Sequence, residues 1–165
     1  MHRYFKRIAL VSAGMLVGLL AVRAGAAGLS AAIQKKLATS KYVYIASTRK
    51  DGTLSKPAEI WFLYHQGAVY VGTPPTTWRA RRIRAGRTRA KIWVGKPNGP
   101  SFMATGAIVS DPTVEQAMFE TYAKKYPAGW PRFAEKFRTG FKSGSRVLIK
   151  YTPADGSSTK GGSSD

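Results

Sequence analysis

The segment Val69–Arg84, with the sequence VYVGTPPTTWRARRIR, combines two patterns that together decide the fold. It begins with β-branched and aromatic residues, which favour a strand, and two prolines then end the strand because proline has no N–H for a sheet. Either threonine before the tryptophan can cap a helix, and Gly86 can end it. The sequence therefore predicts a strand over residues 68–72 that is followed directly by a helix over residues 78–85.

The start of this helix is a predicted anion site. The first turn of a helix leaves backbone N–H groups unpaired and carries the positive end of the helix dipole, so it favours a phosphate group. Thr73 and Thr77 add hydroxyl donors, and Arg79 adds a charged guanidinium within the first turn. These features predict a pocket for about one phosphate group.

The charge of the chain is concentrated around this helix. Lysine and arginine number 27 against 8 acidic residues, which gives a formal net charge of +19. No acid occurs between Glu59 and Asp111, whereas eight lysines and arginines fall in that interval, so an anionic partner is expected. Helical spacing places Arg82 near the same face as Arg79. The other arginines are expected to face solvent or to form a wider anionic platform: Arg81, Arg84, Arg87 and Arg89.

Turn residues and periodicity divide the rest of the chain into short elements. Strands are expected over residues 42–48, 54–64, 89–94, 102–110 and 146–152, in addition to 68–72. Helices are expected over residues 31–38, from the start signal Asp111-Pro112 to about Tyr126, and over residues 131–138. Six strands with few helices favour a barrel or a sandwich of the mainly β, α+β class.

Both ends of the chain are expected to lie outside the folded domain, residues 29–153. Residues 1–28 have a basic start, an uncharged apolar run from Ile8 to Val22 and small residues after it, which predict a signal peptide or an N-terminal membrane anchor. The alternative is a cytoplasmic protein whose apolar N-terminal helix packs on the domain. Residues 154–165 are mostly glycine, serine and single charges, which predicts a disordered tail. The absence of cysteine excludes disulfides and thiolate chemistry.

Tryptophans near the basic residues raise a second hypothesis, a groove for single-stranded nucleic acid. Trp61, Trp78 and Trp93 could stack bases while arginines follow the backbone. Trp61 and Trp93 lie in nearly continuous apolar runs, however, where packing is the commoner use of tryptophan. The sequence therefore favours a small anionic ligand. A non-catalytic basic β-barrel that binds single-stranded nucleic acid or another polyanion stays open as the alternative.

The order of these segments resembles the pyridoxamine 5'-phosphate oxidase-like FMN-binding split β-barrel superfamily, which includes flavin- and deazaflavin-dependent oxidoreductases. The motifs that match are Lys56–Phe62, KPAEIWF, then Val69–Thr73, and then the five positions of a phosphate signature: Thr73, Thr77, Arg79, Arg82 and Ile83. The resemblance covers about residues 33–153 and implies an antiparallel split β-barrel of six to seven strands. Arg82 departs from the asparagine that the family signature has at this position, and it adds a charge to the anion site.

The resemblance also implies a function and the residues that serve it. The ring of FMN or of coenzyme F420 would lie along Lys56, Pro57, Ala58, Glu59, Ile60 and Trp61, and the cofactor phosphate near Thr73, Thr77, Trp78, Arg79 and Arg82. The protein would be an oxidoreductase that transfers a hydride between this cofactor and a small organic substrate, usually as a homodimer, and no catalytic side chain is required. The excess of arginine slightly favours F420, which carries a phosphodiester and a glutamate tail. No metal site is expected, and His65 is expected at the surface of a turn.

Overall fold

The computed structural model describes residues 28–159 of the chain, and the side chains of residues 28–154. Within this range four helices and seven strands follow one another: α1 (Ala31–Thr39), β1 (Val43–Ser47), β2 (Ala58–Ile60), β3 (Leu63–His65), β4 (Ala68–Thr73), α2 (Trp78–Arg84), β5 (Arg89–Val94), β6 (Ser101–Val109), α3 (Pro112–Lys125), α4 (Trp130–Ser143) and β7 (Val147–Thr159). The strands form one antiparallel sheet with the order β2-β1-β5-β6-β7-β4-β3. The mainly β, α+β class that the sequence predicts is confirmed.

The shape of the sheet follows from a short link between its two edges. β2 and β3 occupy opposite ends of the strand order, yet only Trp61 and Phe62 separate them along the chain. A link of this length spans at most about 10 Å. The sheet therefore curls until its edges approach each other, which makes it a half barrel and confirms the predicted split β-barrel.

Alternating side chains of the strands fill the interior of this barrel. Val43 and Ile45 on β1 and Val69 and Val71 on β4 are at most 3% exposed, because every second residue of a strand points to the same face. Phe62 of the short link is fully buried among them. Full burial of each such side chain contributes roughly 1.5–3 kcal/mol to folding. The barrel thus has one apolar interior that holds its walls in place.

The helices α3 and α4 cover the outer face of β3, β4 and β7. Met118 and Tyr122 of α3 are fully buried there, in one cluster with Tyr70 of β4. Gly72 lets α4 approach the sheet, since a Cβ atom at this position would lie 2.7 Å from the Phe137 ring. This second cluster, built mostly from aromatic rings, lies outside the barrel and forms the floor of a pocket described below.

One predicted strand differs from the observed structure. Residues 54–64 were expected to form a single strand, but they form an isolated bridge between Leu54 and Thr48 and then the separate strands β2 and β3. Pro57 has no N–H to donate to a ladder, which limits pairing before β2. The link after β2 then carries the chain to the opposite edge of the sheet. A single-sequence pattern does not contain this change of partner.

Two elements are longer than the sequence predicts. α4 runs over Trp130–Ser143 instead of residues 131–138, because Phe141 packs on Gly72 together with Phe137 and so holds the helix beyond Gly140. β7 continues to Thr159 into the range that was predicted as a disordered tail, and after an irregularity in the register Ser158 and Thr159 lie opposite Phe102 and Ser101 of β6. Ladder hydrogen bonds use backbone groups, and they require no particular side chains.

The predictions for the two termini fall mostly outside this structure. Residues 1–27, which contain the proposed signal peptide or membrane anchor, and residues 160–165 of the proposed tail lie beyond the described residues. Within residues 28–159, no helix is both long enough and apolar enough to cross a membrane.

Candidate functional site

A pocket of about 440 Å³ lies between β1, the loop that leads to β2, and the start of α2. It brings together six of the residues predicted for the cofactor site, namely Lys56, Ala58, Thr77, Trp78, Arg79 and Arg82. Four further residues complete its wall: Ile45, Ser47, Arg49 and Ser55. The predicted anion site and part of the predicted ring site therefore share one cavity.

Arg79 is the residue of this pocket whose hydrogen bonding is incomplete. Its Nη1 atom is buried and has no hydrogen-bond partner within residues 28–154, and the same is true of the Tyr151 hydroxyl, which lies close enough for the two groups to interact electrostatically. Burial lowers the pKa of Arg79 and raises the pKa of Tyr151 to about 12. A buried polar group without a partner costs about 1–3 kcal/mol, and a charged one costs more. Arg79 also lines the pocket, and a guanidinium has five N–H donors, so a phosphate bound there can pair with the donors that face it; the residues therefore fit a phosphorylated cofactor.

The two threonines lie where the sequence places them, but they do not cap the helix. Thr77 holds the N-cap position of α2, yet its hydroxyl donates to the carbonyl of Pro74 at 2.9 Å and accepts from Thr73 at 3.3 Å. Thr73 is buried beneath Thr77, with 4% of its surface exposed. The expected threonine cap is therefore absent. Thr77 lines the pocket directly, whereas Thr73 supports it from below.

Arg82 connects the helix to the barrel wall. Its Nη1 atom donates to the Ser47 hydroxyl at 2.7 Å, and at 3.4 Å to the Ser47 carbonyl. The backbone N–H of Ser47 in turn donates to the Ser55 hydroxyl at 3.1 Å. Because both partners of Arg82 are neutral, its positive charge remains available to an anion in the pocket.

The sequence analysis missed three polar residues of the pocket: Ser47, Arg49 and Ser55. A usable signal existed for two of them, because Ile45, Ser47 and Arg49 alternate along β1 and its continuation and so share a face. Ser55 reaches the pocket only through the loop after the turn at Asp51-Gly52, where Gly52 has a φ of 83°. Such a loop conformation has no periodic signal in the sequence.

Trp78 stands at the mouth of the pocket and leads into a second basic cavity. Its side chain is 68% exposed, and the guanidinium carbon atoms of Arg81 and Arg82 lie 5.4 and 5.7 Å from its ring centroid. The second cavity, of about 700 Å³, shares Arg49, Trp78 and Arg82 with the first and adds Lys50, Asp51 and Arg87. The two cavities therefore form one elongated, mainly basic surface.

The remaining arginines of the platform separate into two kinds. Arg87 lines the second cavity, and its Nε atom is buried without a hydrogen-bond partner in the described part of the chain. Arg84 lines neither of the two basic cavities, and its Nη1 atom donates to the Pro75 carbonyl at 3.0 Å. Of the two, Arg87 is the residue placed to meet a second anionic group.

The rest of the predicted ring site lies elsewhere. Glu59, Ile60 and Trp61 line a separate pocket of about 350 Å³ against α4. The Trp61 ring stacks on Tyr126 with a centroid distance of 4.3 Å, so it belongs to the outer aromatic cluster. Pro57 lines none of the three pockets described. The structure thus brings Lys56 and Ala58 to the basic pocket and separates them from the three residues that follow.

Comparisons with known proteins detect the fold but no close relative. No family model and no curated protein match the sequence. Several solved structures match with a TM-score above 0.5. They include a putative pyridoxamine 5'-phosphate oxidase from Listeria innocua (TM-score 0.53, 16% identity, 74% of this chain and 90% of that chain) and the heme storage protein HutZ from Vibrio cholerae (0.56, 15%, 81% and 96%). A conserved hypothetical protein from Mycobacterium tuberculosis also matches (0.58, 17%, 79% and 84%).

The names of these solved proteins indicate different functions. At such low sequence identities, the likeness concerns the fold alone. The strand order and the curled sheet agree with the split β-barrel that the sequence motifs predicted. The chain accordingly has the split β-barrel fold of the pyridoxamine 5'-phosphate oxidase-like proteins.

Proposed function

We propose that the chain is an oxidoreductase that binds a phosphorylated flavin or deazaflavin in the basic pocket and uses it to reduce or oxidise a small organic molecule. The observation that carries this proposal is Arg79, which lines the pocket and whose guanidinium is only partly satisfied, with its Nη1 atom buried and unpartnered among the described residues. The fold supports it, because the motifs that resemble the flavin-binding split barrels include this arginine. Fold alone does not determine function, so the site has to be tested directly.

Different residues of the pocket contact different parts of the cofactor. Arg79 pairs with the phosphate, and the Thr77 hydroxyl and the Lys56 ammonium add donors beside it. Trp78 provides an exposed aromatic face at the mouth. The bound cofactor itself supplies the hydride chemistry, while the protein contributes binding, orientation and the exclusion of water.

The second basic cavity favours F420 over FMN. FMN carries one phosphate, which the first pocket accommodates, whereas F420 continues from a phosphodiester into an acidic tail. Arg87, Arg49 and Lys50 extend positive charge along the direction in which such a tail would leave the first pocket. We therefore expect Arg87→Met to weaken F420 binding more than FMN binding, as measured by titration of each cofactor.

The central experiment is titration of FMN and F420 into the purified chain, followed by cofactor fluorescence. Arg79→Met removes one charge-assisted hydrogen-bonding group, worth about 1.5–3 kcal/mol, and should raise the dissociation constant about 10- to 100-fold. Arg138→Met is the matched control, because it removes the same charge from an exposed position on α4. An equal loss of affinity in both variants would show that only net charge matters and would contradict the proposal.

Polyanion binding remains the competing function, and the aromatic residues weigh against it. Trp61 is packed in the aromatic cluster, and Trp93 is half-buried with the Lys91 ammonium 5.0 Å from its ring centroid. Trp78 alone of the three offers an exposed ring for stacking. If neither cofactor binds and an oligonucleotide binds with a steep salt dependence, this alternative replaces the oxidoreductase.

Turnover separates an enzyme from a carrier. If the protein is an enzyme, the cofactor bound to it should be reduced by a chemical reductant and reoxidised by an electron acceptor at rates that differ from those of the free cofactor, as followed by absorbance. If the protein binds the cofactor tightly but leaves both rates unchanged, it is a non-catalytic sink for anionic ligands. That result would contradict the enzymatic part of the proposal and leave the binding part intact.

We further propose that the working unit is a homodimer, tethered to a membrane or exported through residues 1–28. The dimer follows from the resemblance, in which cofactors lie at a subunit interface, and the Trp78 ring, 68% exposed at the pocket mouth, is an aromatic side chain that a partner could cover. Light scattering of the cofactor-loaded protein should give twice the chain mass.

Cell fractionation should place the chain in the membrane or exported fraction, and a monomeric cytoplasmic protein would contradict both statements.

A further inference from the structure

A third pocket, of about 350 Å³, lies on the outer side of the barrel between β2, β4 and α4. It shares no residue with either basic cavity, so the proposed cofactor site does not explain it. Aromatic rings form its floor: Trp61, Phe133 and Phe137. Two side chains of opposite charge, Glu59 and Arg146, complete its lining.

The aromatic floor is held in one shape by its neighbours. The Trp61 ring stacks on Tyr126 with a centroid distance of 4.3 Å, and it lies nearly perpendicular to the Phe133 ring, with a centroid distance of 5.7 Å and an interplanar angle of 88°. Phe137 is 6% exposed and packs against Gly72, where no Cβ atom would fit. Rigid aromatic surfaces favour an aromatic or aliphatic group in the pocket, because little conformational freedom is lost when the ligand binds.

Arg146 is fixed in position while its charge stays unpaired. Its guanidinium carbon lies 3.8 Å from the Phe137 ring centroid, and its Nε and Nη1 atoms donate to the carbonyls of Lys136 at 3.3 Å and Gly72 at 3.4 Å. These partners are neutral, and no carboxylate within residues 28–154 lies within ion-pair distance of Arg146. A guanidinium has five N–H donors, so this one can still receive a carboxylate.

Glu59 is held in a comparable way by a neutral donor. The Tyr44 hydroxyl, its register partner on β1, donates to the Glu59 Oε2 atom at 2.5 Å. Among the side chains that the structure describes, no basic group lies within ion-pair distance of Glu59. The pocket therefore presents one oriented carboxylate and one oriented guanidinium that do not neutralise each other.

We propose that this pocket binds a small zwitterion with an aromatic or apolar side chain, of the kind a free aromatic amino acid represents. Arg146 pairs with the carboxylate of the ligand, Glu59 pairs with its ammonium group, and its side chain lies on Trp61 and Phe133. The cavity lies near the lower end of the volume range of about 300–1,000 Å³ in which small ligands bind. Opposite charges at two fixed points also select against ligands that carry only one charge.

Three related ligands test this assignment: L-phenylalanine, 3-phenylpropionate, which lacks the amine, and phenethylamine, which lacks the carboxylate. Each is titrated into the full chain, and binding is followed by tryptophan fluorescence excited at a wavelength that phenylalanine does not absorb, with calorimetry as a second readout. Phenylalanine should bind at least about tenfold more tightly than either singly charged ligand, since a hydrogen bond to a charged group is worth about 1.5–3 kcal/mol.

Two variants assign the charges to their residues. Arg146→Met keeps an apolar stem over Phe137 and should weaken phenylalanine and 3-phenylpropionate while leaving phenethylamine unchanged. Glu59→Gln keeps the shape of the side chain and should weaken phenylalanine and phenethylamine only. A crossed pattern of this kind cannot arise from loss of folding, which would weaken all three ligands together. Arg79→Met should change none of the three affinities, which separates this site from the proposed cofactor site.

Two results would overturn the proposal. The first is no binding of phenylalanine to the wild-type chain at millimolar concentration. The second is equal binding of all three ligands, in the wild type and in both variants, because this would reduce the pocket to a nonspecific apolar surface.

Discussion

The two sides of β2 differ in how completely their side chains are hydrogen-bonded and packed. On the α2 side, buried guanidinium atoms of Arg79 and Arg87 lack partners, and the tryptophan at the mouth is largely exposed. On the α4 side, polar groups have neutral partners, and packed rings such as Tyr122 set the shape. We expect the unpartnered guanidinium groups of the first region to gain partners when an anion binds, whereas the packed rings of the second region hold their shape without a ligand. Substitutions of the arginines in the first should therefore act mainly on binding, and substitutions of the packed rings in the second mainly on stability.

The largest expected difference between the two regions is that between Tyr122 and Trp78. Tyr122 is fully buried against Trp61 and Trp130, so Tyr122→Ala should lower the free energy of unfolding by about 3–5 kcal/mol. Trp78→Ala removes an exposed ring and should change it by less than about 0.5 kcal/mol. Urea unfolding of both variants measures the two values. Similar losses would break the distinction, because Trp78 would then be part of the folded core.

A smaller effect is expected from filling the close contact between α4 and the sheet. A Cβ atom at Gly72 would lie 2.7 Å from Phe137 and 2.9 Å from Phe141, so Gly72→Ala should destabilise the protein by about 1–3 kcal/mol. Gly28→Ala is the control, since no atom lies within 4 Å of a Cβ there. Thermal unfolding compares them. A stable Gly72→Ala protein would mean that α4 can shift and that the outer pocket is not rigid.

A substitution of Arg79 should change the free energy of unfolding in the opposite direction. Arg79→Met replaces a buried, unpartnered charge with an apolar chain, so in buffer without anions it should raise the free energy of unfolding by up to about 1 kcal/mol. Adding inorganic phosphate should raise the melting temperature of the wild type and leave that of the variant unchanged. Arg138→Met should behave like the wild type in both conditions. A variant that is clearly less stable than the wild type without phosphate would show that Arg79 has a structural partner.

The smallest effect concerns Lys125 at the end of α3. Burial lowers the pKa of its ammonium to about 8, even though the ammonium lies 3.4 Å from the Phe62 ring centroid. Between this value and the unfolded pKa of about 10.4, the unfolded state binds more protons, so this group makes stability rise with pH. The side chain is partly exposed, so the effect should stay below about 1 kcal/mol. Between pH 8 and pH 10, the free energy of unfolding of the wild type minus that of Lys125→Met should therefore increase with pH. A difference that stays constant over this range would contradict the prediction.

The sequence predicts the local elements well because their signals are local. Turn residues locate the end of β4, Asp111 and Pro112 start α3, and the helix start beside Thr77 directs attention to Arg79. The pairing partners depend on contacts between distant segments. Arg82 meets Ser47 across 35 residues, and no periodic pattern in either segment shows that contact.

The same limit explains the divided ring site. The motif predicts Trp61 as a cofactor residue, whereas the ring neighbours of Trp61 are Tyr122 of α3 and Tyr126 at its C-cap, more than fifty residues later in the chain. The length of α4 likewise depends on Phe141 meeting Gly72. Sequence patterns therefore found the charge of the basic pocket but not the packing that assigns each aromatic residue to a side of β2.

The position of β7 also constrains how the protein is made in the cell. β7 pairs with β6 on one side and β4 on the other, so it alone joins the half-sheet β2-β1-β5-β6 to the hairpin β4-β3. A ribosome that has not yet released residues 147–159 holds a chain whose two halves have no ladder between them. We expect the barrel to close only after β7 has left the ribosome, with the exposed strand edges of β4 and β6 in need of protection until then.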